Sequence, residues 1–126
     1  MQAGRAVILL GHGSRDPLWR RPMEAVAARL AATQRDLLVG CAYLELQQPD
    51  LGTAAAEVIQ RGATELTIVP MFLGAGKHVR EDLPALVEGL RNEHQAATFV
   101  LQPTVGEDPR VLDLLALIAL ERGGAA

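Results

Sequence analysis

Cysteine is almost absent from this sequence, and its scarcity excludes several classes of protein. The single cysteine, Cys41, has no partner for an internal disulfide, and it cannot build a thiolate zinc site alone. It stands in an apolar run, where an inert buried thiol is the expected role. Such sparing use of cysteine fits a reducing compartment, so we expect a cytoplasmic protein.

Long apolar runs and an excess of basic residues are also missing. No run approaches the ~20 residues of a membrane span, and the stretch after Arg5 is interrupted at Gly11, too early for a signal peptide. The 12 Lys and Arg are outnumbered by 15 Asp and Glu, for a net charge of -3. We therefore expect no membrane and no nucleic acid as a partner, and an anionic ligand must be held by a local cluster.

The residues that are present predict one α/β domain over residues 1–126. Hydrophobic residues make up 49% and charged residues 21%, which is typical of a globular chain of this length. Four apolar runs without polar alternation predict buried parallel strands, at 6–10, 37–44, 66–72 and 98–101. Apolar residues at three- and four-residue spacing predict four helices, at 19–30, 51–59, 79–90 and 111–118.

The alternation of strands and helices predicts a four-stranded parallel sheet with helices on both faces, in flavodoxin-like winding with strand order 2-1-3-4. Asp50 and Asp108 are placed to cap the second and fourth helices, and Gly62 to end the second. Pro84 interrupts the third pattern, so we expect that helix to begin near Glu81 or to kink. His78 would then lie on a loop or in a short first turn.

Two histidines and a carboxylate follow the predicted strands. His12 follows the first strand, Glu45 the second and His78 the third. Ligands of such sheets bind beyond the carboxyl ends of the strands, where the strand order reverses, so the three side chains should converge. This set suits divalent cobalt, nickel, iron or zinc, and it has no thiolate to hold a metal permanently. Either histidine taken alone could be an ordinary solvated residue.

Glycines and basic residues surround the three. Glycine lets a flat ligand approach the backbone closely, or it only permits a tight turn; the glycines here are Gly11, Gly13, Gly74 and Gly76. Guanidinium groups are suited to binding carboxylates, so basic residues near this edge could bind an anionic ligand, or they could simply be solvated surface residues. They are Arg15, Arg20, Arg21, Lys77 and Arg80.

Three segments carry a resemblance to a known family. They are LGHGSRDP at 10–17, YLEL at 43–46 followed by Pro49, and VPMFLGAGKHVREDLP at 69–84. They resemble the small class II chelatases of the sirohydrochlorin cobaltochelatase family, in its short, single-unit form. QPTVGEDPR at 102–110 is similar to that family's last strand-to-helix turn, so the resemblance covers nearly the whole chain. At the positions of Gln47 and Gln48, relatives often carry a small residue and then an acidic one. This chain differs from the family there, and the difference bears on which metal it prefers.

The resemblance implies an enzyme that inserts a divalent metal into sirohydrochlorin without ATP, on the way to cobalamin or related cofactors. Cobalt is the metal expected first, with nickel or iron possible, and precorrin-2 stays open as a substrate. His12 and His78 would be the metal-binding and catalytic histidines, with Glu45 as their acidic partner. No organic cofactor is expected, in agreement with the lack of a Walker-type phosphate loop.

The same resemblance suggests how the tetrapyrrole and a second subunit bind. Because the substrate carries many carboxylates, we expect contacts from Ser14, Arg15, Lys77, Arg80, Gly74 and Gly76. A homodimer is expected, because one four-stranded unit offers an open edge and longer relatives resemble two units in tandem.

Three alternative functions use the same residues differently. A metal carrier or storage module would bind through the same two histidines and Glu45, and only turnover separates it from an enzyme. A hydrolase with Ser14 as nucleophile and His12 as base lacks the Gly-x-Ser-x-Gly turn. A nucleotide-binding module would need a phosphate loop that leads into a helix, whereas here a histidine stands among the glycines and a proline follows.

Overall fold

Four strands and four helices alternate along the computed structural model, which describes residues 4–121. The strands are β1 (Arg5–Gly11), β2 (Leu38–Tyr43), β3 (Glu65–Pro70) and β4 (Thr98–Leu101). The helices are α1 (Arg21–Thr33), α2 (Leu51–Gln60), α3 (Lys77–Glu93) and α4 (Pro109–Leu120), with a 3-10 turn at Val105–Glu107. The predicted order of elements is confirmed. No helix within the described range is both long and apolar enough to cross a membrane.

The four strands form one parallel sheet in the order β2-β1-β3-β4, as predicted. Gly11 at the end of β1 pairs with Tyr43 of β2, and Leu10 pairs with Pro70 of β3. The carboxyl ends of these three strands therefore lie side by side. The strand order reverses at β1, so this edge is where a ligand crevice forms in such sheets.

Helices pack on both faces of the sheet. One face carries the larger core, in which Ile8 and Ile68 of the sheet pack with Val58 of α2 and Val87 of α3. On the opposite face, Met23 of α1 joins a smaller cluster. The predicted two-faced architecture is confirmed, although α4 has no buried residue.

The ends of α2 and α4 follow the predicted capping. The side chain of Asp50 accepts a hydrogen bond from the Thr53 N–H at 2.8 Å, which lowers the pKa of this carboxyl. Asp108 accepts one from the Arg110 N–H at 2.9 Å, and hydrogen bonds from the Arg110 side chain and backbone lower the pKa of Asp108 to about 2. Gly62 follows α2 with φ +107°, a conformation that favours glycine.

The start of α3 differs from the expectation. The helix begins at Lys77, not near Glu81, and it continues through Pro84. Proline removes one N–H from the helix and leaves the carbonyl four residues earlier, that of Arg80, without this partner. Both residues are exposed, so water can reach that carbonyl. His78 consequently lies in the first turn of a long helix.

The thiol of Cys41 is half-buried on β2. Burial, and to a smaller extent the charge of Glu24, raises the pKa of Cys41. A raised pKa leaves less thiolate and so less reactivity, in agreement with the inert role expected of it.

Candidate active site

Backbone hydrogen bonds hold the segments after β1 and β2 together. The Leu44 N–H donates to the Gly11 carbonyl and the Glu45 N–H to the His12 carbonyl, each at 3.0 Å. The pairing of the two strands thus continues past their ends. As a result, His12 and Glu45 occupy neighbouring positions at the crevice.

The ring of His12 packs against a core aromatic side chain. The ring centroids of His12 and Phe72 are 4.5 Å apart, with 35° between the planes. Phe72 is only 5% exposed and belongs to the larger core, whereas His12 is exposed. The packed ring restricts the orientation of the imidazole and leaves its nitrogens open to a ligand.

His78 reaches the crevice from α3. The helix begins after Gly76, and side chains four residues apart share a helix face, which groups His78, Asp82 and Leu86. All three line one cavity. Another side of α3 is anchored in the core by Val87 and Leu90.

The cavity has a volume of about 430 Å³ and brings the three predicted chemical residues together. Its ionisable lining residues are His12, Glu45, His78 and Asp82, and its apolar ones are Leu44, Val79, Leu83 and Leu86. All four ionisable side chains are exposed to solvent. The cavity therefore combines groups that bind cations or accept protons with an apolar wall.

The three predicted ligands do not form a closed metal centre in this conformation. Within residues 4–121, no three His, Cys, Asp or Glu side chains are grouped closely enough to hold an ion. Ligation of one ion by His12, Glu45 and His78 would therefore require side-chain movement in the cavity. Their roles as ligands and as catalytic groups stay predictions.

Packing disfavours a side chain at two of the four predicted glycines. Gly13 has φ +105°, and a Cβ there would lie 2.9 Å from the carbonyl carbon of Glu45 and nearer still to its oxygen. A Cβ on Gly11 would lie 2.5 Å from the Met23 sulfur. By contrast, a Cβ on Gly74 or Gly76 would meet nothing within 4 Å. The space beside Gly74 and Gly76 in this direction is therefore open to an approaching ligand.

The residues expected to grip the tetrapyrrole do not line this cavity. The Ser14 N–H donates to Gln47 Oε1 at 2.8 Å, and Ser14 Oγ accepts from the Asp16 N–H at 3.1 Å. Arg80 is exposed, and its Nη1 donates to the Ala75 carbonyl at 3.3 Å. Arg15 and Lys77 are exposed on the flanking segments.

Gln47 gains a structural role from its bond to Ser14, since it connects the segments that carry His12 and Glu45. Glycine or alanine at this position would lack this acceptor oxygen. Leu46, between Glu45 and Gln47, has φ +68°, which is uncommon for a leucine.

Asp82 and the apolar wall were not among the predicted site residues. Asp82 stands four residues after His78, a spacing that indicates a shared face once a helix is known to include both. The expected helix start near Glu81 concealed this relation. The apolar lining residues were assigned to the core, because nothing in their spacing distinguishes a core face from a ligand face.

The family model and the named relatives that match this chain agree on one family. The family model described as CbiX matches residues 6–119. A sirohydrochlorin cobaltochelatase of Sulfolobus acidocaldarius is 28% identical over 109 residues, or 86% of this chain and 85% of the relative. Other archaeal proteins of the same name are covered to 57–63% of their length, so this chain spans less than two thirds of them.

Solved structures agree with this result. A cobalamin (vitamin B12) biosynthesis CbiX protein from Marinobacter aquaeolei VT8 is 34% identical, with a TM-score of 0.79 over 91% of this chain and 93% of that one. The sirohydrochlorin chelatase SirB from Bacillus subtilis subspecies spizizenii, solved with cobalt, has a TM-score of 0.75. At 22% identity it shows the fold alone, and the match covers 92% of this chain but 50% of SirB.

Proposed function

Because this chain belongs to the CbiX family, we propose that it inserts a divalent metal ion into sirohydrochlorin, with cobalt as the metal. Its relatives over most of its length are named sirohydrochlorin cobaltochelatases, which makes the chain a metal chelatase. The observation that carries the proposal is the cavity in which two imidazoles and two carboxylates face an apolar wall. Nickel and iron remain alternative metals, since affinity for such a site follows the metal and selectivity often follows supply.

Insertion requires two exchanges at the ring. Two protons leave the pyrrole nitrogens, and the metal trades its protein and water ligands for ring nitrogens. Histidine suits both, because an imidazole binds such metals and can accept a proton near neutral pH. We assign His12 and His78 as ligands, with at least one as a base, and Glu45 as the carboxylate that holds the cation and helps to receive protons.

The remaining lining suits the macrocycle. The apolar side chains of Leu44, Val79 and Leu86 offer a surface for the flat face of a ring. The exposed cations Arg15, Lys77 and Arg80 lie outside the cavity lining, where they can meet peripheral carboxylates. This arrangement favours an enzyme over a metal carrier, because a protein that binds only the bare ion has no need of an apolar wall.

The experiment that tests the activity follows visible absorption. Purified protein is mixed with sirohydrochlorin and with cobalt, nickel or ferrous iron in turn, alongside mixtures without protein. We expect the absorption of the metallated product to appear faster with protein, and fastest with cobalt. Traces that match the protein-free mixtures for every metal would exclude the chelatase function.

A matched pair of histidine variants tests the site. His78→Ala should abolish insertion without unfolding the protein, because His78 is exposed in the first turn of α3. His94→Ala is the control: this histidine ends α3, does not line the cavity, and packs 6.2 Å from Phe99 between ring centroids. Equal rates per folded molecule in both variants would show that His78 takes no part in insertion.

Three further properties remain our proposals. We propose that residues 1–126 act as a single chelatase-like domain, that the protein is cytoplasmic, and that it forms a homodimer. The dimer is supported by the position of the cavity, which lies beyond the carboxyl ends of the strands of a single four-stranded sheet.

A further inference from the structure

The side chain of Gln47 has a defined orientation between the segments that follow β1 and β2. Its Oε1 accepts the Ser14 N–H at 2.8 Å, in a half-buried contact between residues 33 positions apart. A backbone N–H can only donate, so the amide atom that faces Ser14 must be the carbonyl oxygen of the side chain. The two N–H groups on Nε2 of Gln47 therefore point away from Ser14.

Those two N–H groups are not used by the packing of the described residues. Within residues 4–121, Nε2 of Gln47 donates to no side chain and to no backbone carbonyl. In the same range, no buried side-chain nitrogen or oxygen lacks a hydrogen-bond partner. Nε2 is therefore not buried, and a ligand can reach it. Gln47 presents an oriented donor at the protein surface.

Two further donors stand beside this amide. Ser14 Oγ accepts the Asp16 N–H at 3.1 Å, and its own hydrogen has no acceptor among the described residues. Arg15 is exposed and carries a positive charge. The carboxylate of Asp16 accepts the Leu18 N–H at 2.9 Å and so belongs to the turn before α1. An amide, a hydroxyl and a guanidinium together suit a carboxylate, which accepts hydrogen bonds at both of its oxygens.

These donors adjoin the candidate active site. Ser14 lies two residues after His12, and Gln47 lies two residues after Glu45. The Glu45 N–H donates to the His12 carbonyl at 3.0 Å, so the two segments stay side by side at this point. A macrocycle whose centre is held at His12 and Glu45 carries its peripheral carboxylates outward, over the neighbouring segments.

We propose that Gln47 is a substrate-binding residue which, with Ser14 and Arg15, binds one peripheral carboxylate of the tetrapyrrole. The inference rests on the proposed function and adds a residue to it. Because the amide is neutral, it binds an anion without placing a positive charge beside the site of a divalent cation, as lysine would. The bond from the Ser14 N–H orients the amide before the ligand arrives, so less side-chain freedom is lost on binding.

Titration of metal-free sirohydrochlorin into purified protein tests the proposal, with initial rates of insertion measured in parallel. Gln47→Glu keeps an oxygen that can accept the Ser14 N–H, but it replaces the Nε2 donors by a second, negatively charged oxygen. Gln47→Met removes both the donors and the acceptor without adding charge. Gln48→Glu is the matched control, because it adds the same charge at the adjacent exposed residue, whose side chain has no hydrogen bond within residues 4–121.

We expect Kd and KM for sirohydrochlorin to rise about tenfold or more in Gln47→Glu, because a hydrogen bond to a charged group is lost and a repulsion is added. The kcat should be nearly unchanged, as for any loss of binding that is equal in the ground and transition states. Gln47→Met should also raise Kd, and it alone should lower Tm, since only this variant loses the bond to Ser14. Gln48→Glu should keep the Kd of the wild type.

Equal Kd values in Gln47→Glu and Gln48→Glu would overturn the inference, since any effect would then come from charge alone. A wild-type Kd in Gln47→Met would overturn it as well, and this variant decides the matter if Gln47→Glu does not fold. A lower Tm and a lower kcat with an unchanged Kd would make Gln47 a structural link only. A wild-type protein that neither binds nor metallates sirohydrochlorin would instead overturn the proposed function.

Discussion

Replacing Gly13 by alanine should damage both the fold and the site, because two independent features require glycine there. The backbone has φ +105°, which L side chains rarely adopt, and the new methyl group would overlap the Glu45 carbonyl. Relief requires the two segments to separate. That movement would break the hydrogen bond from the Glu45 N–H to the His12 carbonyl and pull the two site residues apart.

The expected cost follows from these contacts. A non-glycine residue at positive φ costs about 1–3 kcal/mol, and losing the backbone hydrogen bond adds about 1 kcal/mol. The sum of about 3 kcal/mol is a large share of the 5–15 kcal/mol that stabilises an ordinary domain, and for a chain of this size it corresponds to a fall in Tm of roughly 10 °C. Displacing catalytic groups by about 1 Å can cost ~10²-fold in rate, so insertion per folded molecule should fall on that scale.

Thermal unfolding by circular dichroism and the insertion assay measure the two effects separately. Gly74→Ala is the matched control, because a Cβ there meets nothing within 4 Å and Gly74 has no positive φ. Its Tm should be unchanged or slightly raised, since alanine restricts the unfolded chain. A higher KM with unchanged kcat in Gly74→Ala would support close approach of the tetrapyrrole at Gly74.

Wild-type Tm and wild-type turnover in Gly13→Ala would refute this reasoning. The close approach of Gly13 to the Glu45 carbonyl, and with it the coupling between the two segments, would then be wrong. A lower Tm with unchanged turnover per folded molecule would keep the packing but refute the link from Gly13 to the site.

Other substitutions test individual side chains. Glu45→Gln keeps the shape of the side chain and removes its charge, so the rate of insertion, monitored by absorption, should fall by at least about 10²-fold if Glu45 takes a proton. A rate that falls only a few fold, with a matching rise in the metal concentration needed, would mean that Glu45 only holds the metal. A wild-type rate at the wild-type metal concentration would remove Glu45 from the site. Asp82→Asn should raise that metal concentration, whereas Glu81→Gln, which removes an equal charge outside the cavity lining, should not; equal effects would mean that bulk charge alone matters. Asp50→Ala should lower the free energy of unfolding by about 1 kcal/mol in denaturant titrations near neutral pH, since it removes an N-cap. The pKa of Asp50 is lowered by folding, so this difference should be complete above the unfolded pKa and shrink as the pH falls through the folded one; a difference that grows on acidification would contradict the assignment.

The strand order and helix caps were predictable because their causes are local or topological. Uniformly apolar runs indicate strands buried on both faces, and alternation with helices leaves few ways to wind the sheet. Asp50 and Asp108 cap helices through bonds to residues two or three positions away. The convergence of His12, Glu45 and His78 on one cavity follows from the same topology, since each lies beyond the carboxyl end of a strand in β2-β1-β3.

Tertiary contacts account for what was missed at the site. Pro84 disfavours a helix that extends before it, but exposure lets α3 tolerate the loss of one hydrogen bond and begin at Lys77. With the helix start misplaced, His78 and Asp82 had no shared face, so Asp82 was overlooked. Likewise, the packing role of Gly13 depends on Glu45, more than thirty residues away, and no local pattern reports such an approach.

The fourth helix has more apolar residues than its periodic stripe accounts for. Its stripe of Val111, Leu114, Leu115 and Ile118 predicts a helix, which is confirmed, but a stripe implies cover on one side only. Leu112, Leu117 and Leu120 lie outside that stripe, and they are 51%, 57% and 79% exposed. Apolar residues both on and off the stripe require cover from more than one direction, and within residues 4–121 the chain has no second layer at α4. The leucines off the stripe are therefore not explained by the packing of the described residues, since a stripe indicates one covered face and α4 presents apolar side chains on several.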